Sequence, residues 1–340
     1  MTSLAAVGAI ANEFALSGPV DSVRRYGAGH INETFLVATP RRDYIVQRIN
    51  RTVFPAPQRL MDNVIAVSAH LGGRLVPQLV AARRGGWLVC AGDDVWRAWI
   101  RLSGAATIGQ PTPARAASAA QLLGRFHGAL VDLDPSLLHE TLPNFHDPAR
   151  RLAGLREVVD ADPCGRADGV GAEIAALFAA ARLVGMAEEL IASVPCRVAH
   201  NDAKLDNVVF RDGEAVWLVD LDTVMPSAWF WDVGDLVRTA CTRAAEDDAR
   251  PGRAVLDPAL YHAVLDGYRD GLSTGVSPAD SEVEALHLAG AIATYEQALR
   301  FLTDWIAGDV YYRTSRPGQN RDRARAQLGL LESMPGTVGW

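Results

Sequence analysis

A polar run near the middle of the chain, followed by a hairpin pattern, constrains the fold more than any other feature. Residues 200–207 read His-Asn-Asp-Ala-Lys-Leu-Asp-Asn, which has the form His-x-Asp-x-x-x-x-Asn. Two β-rich stretches joined by a turn follow over residues 208–219, and the second ends on Asp220. Because a tight hairpin returns the chain to its starting point, we expect Asp202, Asn207 and Asp220 to lie in one small site.

These residue types match the needs of phosphoryl transfer. That reaction requires a carboxylate beside the attacking hydroxyl and oxygen ligands that hold Mg²⁺ against the phosphates of ATP. We predict Asp202 as the catalytic base, Asn207 and Asp220 as magnesium ligands, and Lys204 as a positive charge near the transferred group. The alternative is a polar loop whose Asp and Asn side chains only cap turns, and the joint spacing favours phosphoryl transfer.

A glycine-containing loop is the second signal. Residues 27–32 read Gly-Ala-Gly-His-Ile-Asn between two predicted strands. Glycines let a backbone approach phosphates closely, so Gly27, Gly29, His30 and Asn32 are candidates for binding the nucleotide. A plain hairpin turn explains the run equally well, but its position upstream of the polar run favours a phosphate-binding loop.

The remaining pattern predicts two lobes. From residue 20 to 101 short alternating segments indicate strands, interrupted by one helix near residues 58–71. Helical periodicity dominates afterwards, with helices predicted at 113–130, 173–192 and 281–306. We therefore predict an α+β, protein-kinase-like fold in which a small antiparallel sheet lobe with one helix precedes a larger, mainly helical lobe. The expected domains are a nucleotide-binding lobe, 1–102, and a catalytic and substrate-binding lobe, 103–340.

Bulk properties exclude some partners. The net charge of −7 over 340 residues argues against nucleic acid or an anionic membrane as a main partner. We find neither a signal-peptide pattern nor an uncharged apolar run of membrane-spanning length. The 4 cysteines are scattered without metal-ligand spacing, which is typical of free thiols in a reducing compartment. We expect a cytoplasmic protein that acts on a small molecule.

Several runs carry a family resemblance that covers most of the chain. The sequence resembles the aminoglycoside phosphotransferase and choline kinase superfamily, and within it the bacterial N-acetylhexosamine 1-kinases. The matching runs are GAGHIN at 27–32, YIVQRIN at 44–50, LMDNV at 60–64, LPNFHD at 142–147, HNDAKLDNVVF at 200–210, LVDLDTVMP at 218–226, DVGD at 232–235 and RFLTDWIAGDVYY at 300–312. The resemblance implies the same base, metal ligands and phosphate loop as the residue-level argument.

One expected cation is hard to place. Protein kinases hold the nucleotide phosphates with a basic residue on the third strand of the small lobe. Here that strand ends in Gln47-Arg48, and strand alternation lets only one of the two face the nucleotide. The family resemblance favours Gln47. The following helix offers Asp62 as a carboxylate partner, although a solvated surface charge explains that residue equally well.

Two aspartates near the polar run are further candidates. Asp222 lies two residues beyond Asp220, so both side chains face one way on an extended strand, and we predict that Asp222 serves the substrate or supports the site. Asp232 resembles the family residue that orients the catalytic loop, and the alternative is a helix N-cap.

A polar stripe near the C-terminus is the candidate acceptor site. Glu296, Arg300 and Asp304 share one helix face and precede two tyrosines. The stripe is either a solvated row of ion pairs or part of a sugar site, and the resemblance favours Arg300 and Asp304 as substrate residues.

The predicted activity is therefore transfer of the ATP γ-phosphoryl group to a sugar or amino-sugar hydroxyl, with the anomeric 1-hydroxyl of an N-acetylhexosamine as first choice. The alternatives are a kinase for another small alcohol or an aminoglycoside, and a non-catalytic nucleotide-binding regulator.

Overall fold

A five-stranded antiparallel sheet forms the N-terminal lobe of the computed structural model, which describes residues 2–27, 31–250, 252–272 and 278–334. Its strands lie in the order β1-β2-β3-β5-β4. Their bounds are β1 Ser22–Arg25, β2 Glu33–Ala38, β3 Asp43–Arg48, β4 Val89–Ala91 and β5 Asp94–Ile100. Two helices accompany the sheet: α1, Leu4–Ala11, and α2, Pro57–His70. The predicted antiparallel sheet with a helix between its strands is confirmed; α1 is a second helix that the pattern did not predict.

The two faces of the sheet are covered differently, because successive side chains of a strand point to opposite faces. Tyr44 and Val46 of β3 pack in a cluster with Val7 of α1 and Phe14. Ile45 and Ile49 instead pack in the larger cluster that includes α2. We call the α2 side the inner face of the sheet, and Gln47 lies there by the same alternation.

The C-terminal part is mainly helical. Its helices are α3 Pro113–Ala129, α4 Pro148–Ala161, α5 Gly171–Ala179, α6 Arg182–Ser193, α7 Trp229–Ala240, α8 Pro258–Leu272, α9 Asp280–Ala307 and α10 Gln319–Glu332. Two small antiparallel pairs interrupt them, formed by β6 Arg197–Ala199 with β9 Met225–Ser227 and by β7 Val208–Arg211 with β8 Glu214–Leu218. The two-lobed, protein-kinase-like fold is confirmed.

The single helix predicted at 173–192 is wrong, because two helices occupy this region. The Ala181 N–H donates to Phe178 O, a contact one residue shorter than an α-helical one, and this ends α5. The Leu177 carbonyl accepts a hydrogen bond from the buried Tyr295 hydroxyl, at 3.1 Å. A tertiary contact therefore replaces the helical hydrogen bond that a continuous helix would make.

The main hydrophobic cluster crosses the boundary predicted at residue 102. It joins α2 to the helical lobe, from Leu60 and Val64 through Phe126 to Leu299. The connecting segment is also held to the hairpin, since Ala106 and Phe210 exchange backbone hydrogen bonds of 3.0 and 2.9 Å. The two lobes thus share a core through α2, which fixes the cleft between them.

Glycines allow α3 and α8 to pack closely. A Cβ added at Gly267 would lie 2.4 Å from the Ala117 carbonyl oxygen, closer than real Cβ atoms approach. We expect Gly267→Ala to lower the free energy of unfolding by about 1–3 kcal/mol, because backbone atoms must separate. Urea denaturation measures this, with Gly185→Ala as the matched control. No atom lies within 4 Å of a Cβ at helical Gly185, so this variant should stabilise by about 0.5–1 kcal/mol. Equal effects would contradict the close packing.

Membrane-spanning character is confined to one weak candidate among the described residues. No single helix there is long and apolar enough to cross a membrane, and only the bent pair Asp168–Ala179 and Arg182–Ser193 passes by length and composition.

Candidate active site

The loop after β6 brings three predicted residues together. The Lys204 ammonium lies 2.9 and 2.8 Å from the two carboxylate oxygens of Asp202. Asn207 Nδ2 donates to Asp202 Oδ2 at 2.9 Å and to the Asp202 carbonyl at 2.8 Å. These contacts hold the Asp202 carboxylate in one orientation. They use only the amide nitrogen of Asn207, so its amide oxygen does not take part in them.

The β7–β8 hairpin returns Asp220 to this loop. The Val219 N–H donates to Asn207 O at 2.9 Å, so the end of β8 lies beside the polar run. Asp220 follows with a left-handed backbone (φ 64°) and is exposed in the cleft. Desolvation of the carboxyl group by the surrounding protein, together with the charges of Asp222 and Asp202, raises the pKa of Asp220 to about 6. Three clustered carboxylates therefore create a negative field that a cation would relieve.

The donor set at this point suits a magnesium ion bound together with phosphates. Among the described residues no group of three His, Cys, Asp or Glu side chains could hold a metal alone. Mg²⁺ in kinase sites typically takes one or two protein carboxylates and completes its shell with phosphate oxygens and water. The Asp220 carboxylate and the Asn207 amide oxygen fit that requirement, since both are hard oxygen ligands.

Asp232 holds the backbone of the loop directly before Asp202. Its carboxylate is fully buried and accepts hydrogen bonds from the backbone N–H groups of His200, at 2.7 Å, and Asn201, at 2.6 Å. The N-cap of α7 is Ala228, so the alternative N-cap role of Asp232 is wrong. Asn201 has a left-handed backbone (φ 62°), and the two bonds secure this turn directly before Asp202.

Two histidines complete the support of the loop. His200 donates through Nε2 to the Val219 carbonyl at 3.0 Å and accepts from the Asp202 N–H, so its ring ties the loop to the end of the hairpin. His127 is buried, contacts Asp232 Oδ2 at 2.8 Å, and lies against the Trp229 ring. Burial lowers the pKa of His127, so the neutral ring donates to Asp232 and accepts from the Tyr268 hydroxyl.

The predicted phosphate loop is only partly within the described residues. Gly29 and His30 lie outside them, whereas Gly27 has a left-handed backbone (φ 75°). Asn32 Nδ2 donates to Asp222 Oδ2 at 2.6 Å, and Asn32 Oδ1 accepts from the Asn50 N–H at 3.0 Å. The end of this loop therefore reaches the other lobe.

Gln47 and Arg48 face opposite sides of the sheet. Gln47 Oε1 accepts from Arg97 Nε and from Trp99 Nε1, both at 3.0 Å, on the inner face. Arg48 pairs instead with Glu33, at 2.9 Å, and Asp94, at 3.0 Å. Gln47 is thus the residue of the two that shares a face with α2, as the family resemblance favoured.

Asp62 and Asp222 differ in exposure. The Asp62 side chain is 63% exposed and lies 3.5 Å from His139, which matches the surface-charge alternative. Asp222 is only 4% exposed, and its carboxylate lies 2.5 Å from Arg97 Nη2. This carboxylate faces the small lobe, so the placement favours support of the site over direct contact with a substrate hydroxyl.

On the acceptor side, Arg300 lies among aromatic rings. Its guanidinium carbon is 5.3 Å from the ring centre of Phe145, 5.9 Å from that of Tyr311 and 5.6 Å from that of Tyr312. Burial lowers the pKa of Arg300, but the nearby Tyr312 and Glu296, with a smaller contribution from Asp202, hold this pKa above its usual value. The structure therefore places a cation and apolar ring faces near the predicted base.

The carboxylates of the C-terminal stripe are buried, so the solvated ion-pair alternative is wrong. Asp304 is 4% exposed and accepts from the N–H groups of Tyr311, at 2.7 Å, and Tyr312, at 2.9 Å. Asp304 thus fixes the backbone of the two tyrosines and does not line the open cleft as a sugar-binding side chain would. Glu296 is paired with His146 at 2.8 Å.

His146 was missed by the residue-level argument. Its Nε2 donates to the Asn201 carbonyl at 3.1 Å, and its ring stacks on Trp231 with centres 4.4 Å apart. It borders a cavity of about 320 Å³ that is lined by residues of the loop before α4 and of β9. Its place in the run LPNFHD was the available signal.

Comparison with known proteins agrees with this geometry. Residues 22–275 match the model of the phosphotransferase enzyme family, which is well over half of the chain.

Solved structures share the fold at low sequence identity. An aminoglycoside phosphotransferase from Alicyclobacillus acidocaldarius is 17% identical, with 95% of this chain and 93% of that chain covered and a TM-score of 0.63. An amicoumacin kinase in complex with AMP-PNP and Ca²⁺ is 15% identical, with coverages of 96% and 93% and a TM-score of 0.63. Choline kinase from Streptococcus pneumoniae is 16% identical, with coverages of 96% and 97% and a TM-score of 0.59. With the match to the family model over most of its length, the chain belongs to the phosphotransferase enzyme family.

Proposed function

We propose that this enzyme transfers the γ-phosphoryl group of ATP to a hydroxyl of a sugar or amino sugar, and that the acceptor is the anomeric 1-hydroxyl of an N-acetylhexosamine. The observation that carries the proposal is the convergence of Asp202, Asn207 and Asp220 on one loop and hairpin, with Arg300 and its aromatic rings on the acceptor side. The product is a sugar 1-phosphate.

Asp202 acts on the acceptor hydroxyl. Its carboxylate is a quarter exposed, so a hydroxyl can approach it, while Lys204 and Asn207 fix its orientation. Asp202 orients the hydroxyl and takes its proton as the bond to phosphorus forms. Lys204 supplies a fixed positive charge beside the transferred group. Because Asp202 raises the pKa of Lys204 against the effect of burial, this ammonium stays charged.

ATP and a divalent metal are the cofactors. Asn207 and Asp220 would hold Mg²⁺ through their side-chain oxygens, and a bound ion would supply positive charge that offsets the negative charge of the phosphates. The amicoumacin kinase complex, which holds a nucleotide analogue and Ca²⁺, supports this choice for the same fold. Gly27 and Asn32 belong to the proposed phosphate loop, and the contact between Asn32 and Asp222 supports a place for the end of that loop beside the site.

A sugar suits the acceptor side better than a polycation. Desolvated cations need carboxylates that are free to pair with them. Glu296 and Asp304 are buried and already engaged with His146 and with backbone N–H groups. Arg300 and nearby rings instead offer donors and apolar faces, which grip sugars.

The free cysteines support the predicted cytoplasmic location.

The acceptor is tested by measuring ADP release with Mg-ATP across N-acetylhexosamines, other amino sugars, neutral hexoses, choline and aminoglycosides. We expect stimulation by the N-acetylhexosamines and a product phosphorylated at position 1. Stimulation by choline or an aminoglycoside alone would replace the sugar proposal. Binding of Mg-ATP without turnover on any acceptor would support the regulator instead.

The metal ligands predict a magnesium-dependent stability. A carboxyl group whose folded-state pKa is raised binds its proton more tightly in the folded state, so its contribution to stability falls as pH rises from about 4 to 6. At pH 7.5 the charged Asp220 therefore destabilises the metal-free protein. Since solvent screens this exposed group, we expect Mg²⁺ to raise Tm by only a few degrees.

Asp220→Asn provides the control for that effect. Without the charge, the metal-free variant should melt at or above the parent Tm, and Mg²⁺ should shift it less. Differential scanning calorimetry with and without MgCl₂ measures both values. An unchanged Mg²⁺ shift in Asp220→Asn would remove Asp220 from the metal site.

A further inference from the structure

A buried guanidinium lies where the third strand lacks a cation. Arg97 of β5 is directly opposite Gln47 in the β3–β5 register and is 0% exposed. Since Gln47 is on the inner face, Arg97 is too. Its positive charge is therefore close to the position that a basic third-strand residue holds in protein kinases.

The guanidinium group of Arg97 contacts both lobes. Nε donates to Gln47 Oε1 at 3.0 Å, and Nη1 lies 3.9 Å from Met61 Sδ of α2. Nη2 lies 2.5 Å from Asp222 Oδ1 in the helical lobe. Neither Arg97 Nη2 nor Asp222 Oδ1 has hydrogen-bond geometry toward any described residue. Electrostatic attraction between the two charged groups is therefore their main interaction.

Asp222 links this charge to the metal site. Its other oxygen accepts from Asn32 of the phosphate loop at 2.6 Å, and Asp220 is two residues away in the chain. One buried ion pair thus touches the sheet, the phosphate loop and the segment that presents Asp220.

We propose that Arg97 and Asp222 form the ion pair that couples the two lobes, in the place that a third-strand cation and its helix carboxylate occupy in protein kinases. The inference rests on the proposed role of Asp220 as a metal ligand. Arg48, the basic residue of the third strand, pairs with Glu33, and Asp62 of the following helix lies beside His139, so these two residues do not form the pair.

Arg97 and Asp222 act as positioning residues. With exposures of 0% and 4%, neither offers a face to substrate. Their effect passes through Gln47, Asn32 and Asp220, whose placement decides whether the nucleotide phosphates lie in line with the acceptor hydroxyl. The pair should therefore influence kcat and the KM for ATP, whereas the KM for the acceptor should change little.

Three variants test the pair: Arg97→Gln, Asp222→Asn and the double variant. Each single change leaves one buried charge without its partner, so we expect a lower Tm and a loss in kcat/KM for ATP of about 10–100-fold. The double variant leaves no unpaired charge, so its Tm should recover toward the parent value. Its kcat/KM for ATP should stay low, because the coupling is still missing.

Arg101→Gln is the matched control, since it breaks a part-exposed pair between Arg101, directly after β5, and Asp43 of β3. We expect its kcat/KM for ATP to stay near the parent value.

Two results would overturn the inference. One is a double variant that recovers activity together with Tm, which would make the pair purely structural. The other is an unchanged kcat/KM for ATP in Arg97→Gln. If Asp220→Asn retains Mg²⁺-dependent turnover, the assignment of Asp220 as a metal ligand fails instead. Failure of the ion-pair proposal and failure of the metal assignment therefore give different results.

Discussion

Replacing Asp202 by asparagine is expected to lower kcat by about 10²–10⁴-fold, the range typical for loss of a general base. The amide keeps the size of the side chain and one oxygen for the Asn207 contact at 2.9 Å. It cannot take a proton, and it leaves Lys204 without the carboxylate it contacts through both oxygens. The KM for ATP should change little, because the proposed partner of Asp202 is the acceptor hydroxyl. Steady-state ADP release with the best acceptor of the panel measures both constants.

Asp212→Asn is the control for this prediction. Asp212 lies in the exposed turn of the same hairpin with a left-handed backbone (φ 54°), which asparagine tolerates. Its kcat should match the parent enzyme. A kcat near the parent value in Asp202→Asn would place the base elsewhere and contradict the central assignment.

The local parts of the site were predictable from sequence because they lie close together in the chain. The spacing from Asp202 to Asn207 and the hairpin to Asp220 dictate their convergence, and the structure brings all three together. Turn chemistry and strand alternation are short-range rules, so one sequence is enough to apply them.

The contacts between the lobes were not predictable in the same way. Asp222 and Asn32 are 190 residues apart, and no local rule specifies which β5 side chain meets Asp222. Arg97 is the one charged residue in the apolar segment 95–100 of β5, and the β3–β5 register places it directly opposite Gln47. A buried arginine needs a carboxylate as its partner. The sequence therefore indicated that Arg97 is paired, but it did not indicate with which carboxylate.

Helical periodicity also left the C-terminal stripe ambiguous. A spacing of four residues shows that Glu296, Arg300 and Asp304 share a face of α9, but it does not show what covers that face. Here His146 and Asp147, just before α4, contact Glu296, while Asn320 of α10 contacts Asp304 at 2.8 Å. Tertiary packing therefore turned an apparent surface stripe into a buried one.

Asp232→Ala is expected to lower the free energy of unfolding by about 3–5 kcal/mol, the cost of leaving buried polar groups without their charged partner. The carboxylate is 0% exposed and accepts from the His200 N–H, the Asn201 N–H and the His127 ring. All three donors would become unsatisfied in the protein interior. Urea denaturation measures the loss, with Asp266→Ala as control, because that aspartate is 73% exposed on α8 and should be nearly neutral.

Asp232→Asn separates loop geometry from stability. One amide oxygen can still accept from a backbone N–H, but the amide NH₂ must face a second donor, so part of the network is lost. The left-handed turn at Asn201 should then relax and displace Asp202, and a shift of about 1 Å can cost 10²-fold in rate. We expect kcat to fall by that order while the protein remains folded at 25 °C. An unchanged kcat in a destabilised Asp232→Asn protein would show that Asp232 supports the fold without orienting the catalytic loop.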